Sequence, residues 1–225
     1  MPAKNKNIFI AGITGTLGTA VKNLFEKNGY NCYGSSSKES GKNIFKIDFE
    51  NIDVKEIGNM KIPELDALVI TSGYEPQMNL TESTEEHFDK MINIHLKGPF
   101  LLIKYLRKKL KNNSCIILVS SIAAYKGSYD PSYATVKGGL ISLTRSLARE
   151  LAPDIRVNAI APGLIDGSPV HKRMTDDFRK KHMDASLTKK LITPTECADA
   201  ILFLVSEKNI TGQILHINGG QFFGG

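Results

Sequence analysis

The sequence predicts a doubly wound α/β protein with a mostly parallel sheet, and three observations carry that prediction. The short runs at 7–11, 30–34, 44–47, 66–71, 115–120, 155–160 and 214–217 are almost wholly apolar, which is the habit of strands buried on both faces. Between most of them apolar residues recur every three or four positions, the habit of amphipathic helices. The first run leads into "AGITGTLG", a turn with glycines at 12, 15 and 18. Alternating strand and helix builds a sheet covered on both faces, and ligands of such sheets lie beyond the C-terminal strand ends.

Taken in order, the strand at 7–11 is followed by Leu17, Val21, Leu24 and Phe25 at helical spacing. The glycines therefore occupy a strand-to-helix turn. Free N–H groups and the positive end of the helix dipole suit a phosphate there, and glycine lets the backbone approach closely. The pattern is not G-x-G-x-x-G, so the glycines alone leave an ordinary turn open. Only "SSSKESGKN" separates the second and third strands, too little for a regular crossover helix, so an exposed loop is expected.

After the strand at 66–71, Ser83 and Glu86 have capping-box spacing. Phe88, Met91, Ile92, Leu96, Phe100, Ile103 and Leu106 continue a helical pattern towards Asn112, with Pro99 as a kink. Tyr133, Val136, Leu140, Leu143, Leu147 and Leu151 mark another helix, and Ala198, Ile201, Leu202 and Val205 the last.

With 225 residues, 41% hydrophobic content and no break in composition, the chain reads as one domain over 1–225. The net charge of +6 is concentrated in "KYLRKKLKNN" (104–113) and "HKRMTDDFRKKH" (171–182). Such runs are usually solvated helix faces, and they also suit an acidic partner better than nucleic acid. Cys32, Cys115 and Cys197 are far apart and unpaired in pattern, so buried thiols are expected rather than disulfides or a metal site. "MPAKNKN" has no apolar signal region, and no apolar run approaches the ~18 residues of a membrane span, so a cytoplasmic protein without membrane contact is expected.

Chemistry enters with tyrosine four residues before lysine, a spacing that puts both on one helix face. Bringing a tyrosine from ~10 to ~7 takes about 4 kcal/mol, and a unit charge ~4 Å away at an effective dielectric of ~20 supplies roughly that. Lysine is therefore sufficient to make tyrosine a general acid or base. The spacing occurs at Tyr105 and Lys109, inside the basic run, and at Tyr133 and Lys137, just after a strand ending "LVSS". Only the second pair falls at the sheet's ligand edge, where Ser120 or Ser121 can hydrogen-bond the oxygen that Tyr133 protonates.

The motifs "AGITGTLG", Asp48, "SS" at 120–121, "YATVKGG", "IRVNAIAPGLI" and "ITGQILHINGG" together make the chain similar to the short-chain dehydrogenase/reductase (SDR) family over nearly its whole length. Its 3-oxoacyl carrier-protein reductases are the nearest likeness. The resemblance implies a Rossmann fold of the family's shorter form and hydride transfer between a nicotinamide cofactor and a ketone or secondary alcohol. It implies that Tyr133 transfers the proton, that Lys137 holds the nicotinamide ribose and lowers the tyrosine pKa, and that Ser121 orients the carbonyl. The cofactor would lie on Gly12, Thr14, Gly15, Thr16, Leu17 and Gly18, with Asp48 at the adenine, Thr71, Ser72 and Gly73 near ribose, and Pro162, Gly163 and Ile165 flanking the nicotinamide. The segment 166–193 would cover the substrate. A homotetramer through the helices after strands four and five is implied, and an acyl carrier protein is a candidate partner.

Departures sharpen the expectations. Thr16 stands where the family has glycine, and "ITSG" replaces Asn-Asn-Ala-Gly. His95 replaces the asparagine of the proton relay, a role that histidine can also serve. Gly167 replaces a threonine at the carboxamide, with Ser168 as a substitute. At the end of the second strand no acid stands for an NAD ribose; Ser35, Ser36, Ser37 and Lys38 instead suit a 2'-phosphate, which favours NADP(H) over NAD(H). An epimerase or dehydratase that retains its nicotinamide, and a non-catalytic nucleotide-binding regulator, are the alternative readings.

Overall fold

The computed structural model describes residues 6–75 and 77–223. Seven parallel strands form one sheet. They are β1 (Lys6–Ala11), β2 (Tyr30–Ser36), β3 (Ile44–Lys46), β4 (Leu65–Ile70), β5 (Leu110–Val119), β6 (Ile155–Pro162) and β7 (Ile214–Ile217), in the order β3-β2-β1-β4-β5-β6-β7. The order reverses between β1 and β4, so the crevice for a ligand opens there.

Side chains alternate across the strands, and each face has its own core. Phe9, Leu68 and Ile116 pack on one side with Leu102, Leu106, Leu140 and Leu147. Ile8, Ile10, Val69 and Ile117 pack on the other with Val21, Phe25, Ile201 and Leu204. Those partners come from α4 (Gly98–Leu106) and α6 (Pro131–Glu150) on the first face, and from α1 (Thr16–Lys27) and α9 (Pro194–Ser206) on the second. The remaining helices are short: α2 (Val54–Asn59), α3 (Glu85–Ile92), α5 (Ala123–Lys126), α7 (Pro169–Arg173) and α8 (Asp176–Ala185). Among the described residues no helix is long and apolar enough to cross a membrane.

The β2–β3 connection contains no helix, and its backbone closes through an antiparallel bridge between Gly41 and Ile44. Two local expectations change. The N-cap of α3 is Thr84, whose hydroxyl accepts from the His87 N–H at 3.1 Å, rather than Ser83. The helical pattern also stops short of Asn112. It runs through α3, a π-helical segment at Asn93–Lys97, α4 and a final turn at Arg107–Lys109, and β5 begins at Leu110. Pro99 starts α4 after the π segment, at a position where a missing N–H is tolerated.

Candidate active site

The loops after β1, β2 and β4 are tied together by backbone. Gly12 and Ile13 both donate N–H to the Ser35 carbonyl, at 2.9 and 3.1 Å, and the Thr71 hydroxyl donates to the Ala11 carbonyl at 2.8 Å. Gly12 has φ +80, and a Cβ there would lie 2.9 Å from the Ser72 backbone. At Gly18 a Cβ would lie 2.0 Å from the Gly12 carbonyl oxygen, so only glycine lets α1 start this close to the turn. Gly15 caps α1 without a side-chain hydrogen bond, and no acidic residue occupies the first turn. The first N–H groups of a twelve-residue helix thus face the crevice unneutralised.

Thr14 and Thr16 extend the cradle. The Thr14 hydroxyl donates to Ser36 Oγ at 3.0 Å, and the Thr16 hydroxyl reaches the Gly167 carbonyl at 3.4 Å, joining the first turn to the loop after β6. Ser35 and Ser36 are buried, whereas Ser37 and Lys38 are exposed at the end of β2. Asp48 follows β3 and accepts from the Glu50 N–H at 3.0 Å.

The proton-transfer candidates converge beyond β5. Asp130 is the N-cap of α6, with Pro131 at its first position, and its carboxylate accepts from the Tyr133 N–H at 3.1 Å. That cap aims the first turn. Lys137, one turn on, donates its ammonium to the Val119 carbonyl at 2.9 Å and lies 5.5 Å from the Tyr133 ring centroid. The two serines separate cleanly. Ser120 is buried and donates to the Lys137 carbonyl at 2.8 Å, which binds α6 to β5, while the Ser121 hydroxyl accepts from the Ala123 N–H at 3.1 Å and acts to lower the Tyr133 pKa. Tyr105, by contrast, is exposed on α4, away from this cluster.

Burial sets the charges here. Desolvation lowers Lys137 to about 8, so it remains mostly protonated at neutral pH. Tyr133 is pushed well above its ordinary value, first by burial and then by the Glu75 carboxylate, with Ser121 opposing the shift. Burial and Glu75 thus act against the lysine-driven lowering that the family resemblance implies. His95 is buried and lowered to about 3 by desolvation and then by Lys137, so its imidazole is neutral throughout the working range. Its Nε2 lies 2.7 Å from the Tyr74 carbonyl oxygen and 3.2 Å from the Tyr74 N–H, and its ring meets Tyr133 edge-on at 5.9 Å. A titrating relay near ~6.5 is not what this environment gives.

Pro162 ends β6, the Gly163 N–H donates to Ile217 at 2.8 Å, and Ile165 bridges Ile192. Ser168 caps α7 by accepting from the His171 N–H at 3.2 Å. In the basic run 104–113 the Lys and Arg side chains of 104–109 are exposed, but Leu106 is buried and 110–113 begin β5 rather than continue a helix face, with Lys111 paired to Asp66 at 2.8 Å. All three cysteines are free and buried, with burial raising Cys32 and Cys197 to about 12 and Cys115 to about 11.

Three groups escaped the sequence reading. Asp130 carried a readable signal, an N-cap residue before proline. It sits in a buried network with Ser132, 2.5 Å away, and His87, 3.2 Å away; burial alone would raise its carboxyl, but the Ser132, Tyr133 and Met78 hydrogen bonds hold it below the usual range. Glu75 and Arg173 gave no signal. The Arg173 guanidinium donates to the Glu75 backbone carbonyl, and the Glu75 carboxyl is raised above its ordinary value chiefly by burial.

Comparison with known proteins places this geometry. A family model described as enoyl-(acyl carrier protein) reductase matches residues 54–221. The 3-oxoacyl-(acyl-carrier-protein) reductase FabG of Rickettsia felis is 35% identical, covering 96% of each chain. The chain belongs to the short-chain dehydrogenase/reductase family. This SDR oxidoreductase also superposes on a solved SDR described as a glucose/ribitol dehydrogenase from Brucella melitensis, with TM-score 0.92, 28% identity and 99% of each chain covered. The solved structure titled ElxO with NADP bound matches at TM-score 0.84 and 28% identity, covering 96% of the SDR and 98% of ElxO.

Proposed function

We propose that this SDR is an NADP(H)-dependent carbonyl reductase, interconverting a ketone and a secondary alcohol. The observation that carries the reading is the gathering of Ser121, Tyr133 and Lys137 beyond the C-terminal end of β5, beside the crevice of the sheet. When bound, the nicotinamide supplies or accepts the hydride. The cradle fits it: glycine at 12 and 18 lets the turn after β1 close against the first turn of α1, whose free N–H groups suit a pyrophosphate.

In this reading Gly12, Thr14, Gly15, Thr16, Leu17 and Gly18 hold the pyrophosphate, Asp48 meets the adenine, and Thr71, Ser72 and Gly73 line the ribose. Pro162, Gly163 and Ile165 pack against the nicotinamide. Ser35, Ser36, Ser37 and Lys38 receive a 2'-phosphate, because no carboxylate stands at the end of β2 to repel it. NADP-bound ElxO supports the same choice, with NAD(H) as the weaker ligand.

Ser121 donates to the substrate carbonyl oxygen and fixes its direction. Tyr133 passes its phenolic proton to that oxygen, and the Lys137 ammonium stabilises the phenolate left behind. His95 acts here as a neutral hydrogen-bonding group that holds the Tyr74 backbone beside Tyr133. The segment 166–193, with α7 and α8, covers the substrate and presents Phe178, Met183 and Leu187 partly exposed. The FabG relatives suggest an acyl group on a carrier protein as one substrate form, and the basic residues 171–182 would face such an acidic partner. A cytoplasmic homotetramer through the α3–α4 and α6 faces, where Phe100 and Tyr105 are exposed, completes the reading.

The test is NADPH and NADH oxidation with a panel of ketones. NADPH-linked reduction is expected; turnover with NADH alone would overturn the cofactor choice, and no turnover with either would overturn the reductase.

A further inference from the structure

Asp130 does more than cap α6. It is buried, 2% exposed, and four donors converge on its carboxylate. Oδ1 accepts from the Tyr133 N–H at 3.1 Å and from the Ser132 hydroxyl, while Oδ2 accepts from the Met78 N–H at 3.3 Å and lies 3.2 Å from His87 Nε2. An ionised carboxylate offers about four lone-pair sites, so the set is complete. Its donors come from three places: the first turn of α6, the segment after β4 and the first turn of α3.

His87 has no freedom in this set. Ser132 spends its one proton on Asp130 Oδ1, so its oxygen faces His87 Nε2, 3.0 Å away, as an acceptor. Both neighbours of Nε2 are then acceptors, and the ring carries its proton there. His87 and Ser132 are themselves buried, and none of the three belongs to the motifs that carry the family resemblance.

The two candidate proton-transfer groups of α6 are held separately. Lys137 is anchored to β5, with its ammonium on the Val119 carbonyl at 2.9 Å and its own carbonyl under the Ser120 hydroxyl at 2.8 Å. Tyr133 stands one turn earlier, ahead of both anchors, and its N–H is held by Asp130. A buried carboxylate that loses a donor shifts to replace it, and the Tyr133 turn shifts with it. Misplacing a reacting group by ~1 Å costs about 10²-fold in rate. The glycine turn after β1 is built from other residues.

We propose that His87, acting through Asp130 and Ser132, is a positioning residue for proton transfer: it keeps the Tyr133 turn in place against the segment after β4, and so sets turnover without contributing to cofactor affinity. This rests on the carbonyl-reductase reading above and deepens it.

The experiment compares wild type, His87→Leu, His87→Gln and Ser132→Ala with NADPH and whichever ketone of the panel above wild type reduces fastest. NADPH titration by fluorescence counts folded sites, so that kcat is expressed per bound NADPH, and the solvent isotope effect on kcat in D2O reads how far proton transfer limits turnover. His87→Leu removes the donor; kcat per site is expected to fall at least about tenfold, with NADPH affinity within about twofold of wild type and a larger solvent isotope effect. His87→Gln, which returns an N–H at similar reach, is expected to recover most of that loss, and Ser132→Ala to show a smaller fall in the same direction. A merely structural role would reduce the number of NADPH-binding sites and leave kcat per site and the isotope effect as in wild type. That result, or a glutamine variant no better than the leucine one, would overturn the proposal and leave the reductase standing. Should His87→Leu bind no NADPH, Ser132→Ala decides: wild-type kcat per site and isotope effect in that variant would equally overturn it. Wild type that binds NADPH but reduces no ketone would overturn the reductase reading and this one with it.

Discussion

The two halves of the crevice are made of different material. On the β1–β4 side the site is backbone: glycines at 12 and 18, carbonyl-bound loops and the open first turn of α1. On the β4–β6 side it is side chains, Glu75, His95, Ser121, Tyr133, Lys137 and Arg173, delivered by separate loops and helices and holding one another's charges in check. The first half tolerates little change in shape. The second tolerates little change in charge or proton inventory.

The contrast is broken most severely at Gly18. A methyl group 2.0 Å from a backbone oxygen has no flexible neighbour to displace, so Gly18→Ala should cost at least about 3 kcal/mol and remove NADPH binding. Denaturant unfolding with and without NADPH reads both. Unchanged stability would show that the turn is less tightly packed than described.

Lys137 gives the next largest effect. Its folded pKa of about 8 lies below the reference 10.5, so across that window the folded chain holds fewer protons than the unfolded one, and stability rises with pH. At neutral pH the burial costs about 3 kcal/mol relative to an unperturbed lysine. Cys32 and Cys197, raised from 9.0 to about 12, act in the opposite sense at higher pH. The comparison with Lys137→Met therefore isolates the lysine: the variant should lose the rise between about pH 8 and 10 while also losing turnover. A parallel pH profile in both proteins would mean that Lys137 is well solvated.

Ser36 sharpens the comparison from the backbone side. Ser36→Asp places a carboxylate where a 2'-phosphate is expected and should shift preference towards NADH by about tenfold, the cost of one close like-charge pair. Wild type that already prefers NADH in titrations would reverse the assignment. The smallest effect belongs to His95, whose neutral imidazole predicts no inflection in turnover near its reference ~6.5. A kinetic pKa there that vanishes in His95→Asn would restore a titrating relay.

The same division explains what could be read from the sequence. Alternating apolar runs and the glycine turn showed the sheet, its edge and the bare β2–β3 loop, because each depends on neighbours in sequence. Tyr133 and Lys137 were legible because they share one helix face. Glu75 and Arg173 were not, since they meet across ninety-eight positions, and neither lies in a regular pattern that fixes its direction. The π segment also escaped, because one extra residue per turn leaves the apolar spacing almost unchanged and moves His95 under the Tyr74 loop. Burial also works against one chemical expectation: Lys137 was expected to lower Tyr133, and desolvation with Glu75 pushes it the other way.

The central claim is that Tyr133 supplies chemistry rather than binding, and the Tyr133→Phe variant tests it when NADPH affinity and ketone turnover are measured on the same preparation. The account predicts turnover reduced by about 100-fold or more with NADPH affinity nearly unchanged, while the exposed Tyr105→Phe behaves as wild type. Turnover in Tyr133→Phe close to that of wild type would contradict it.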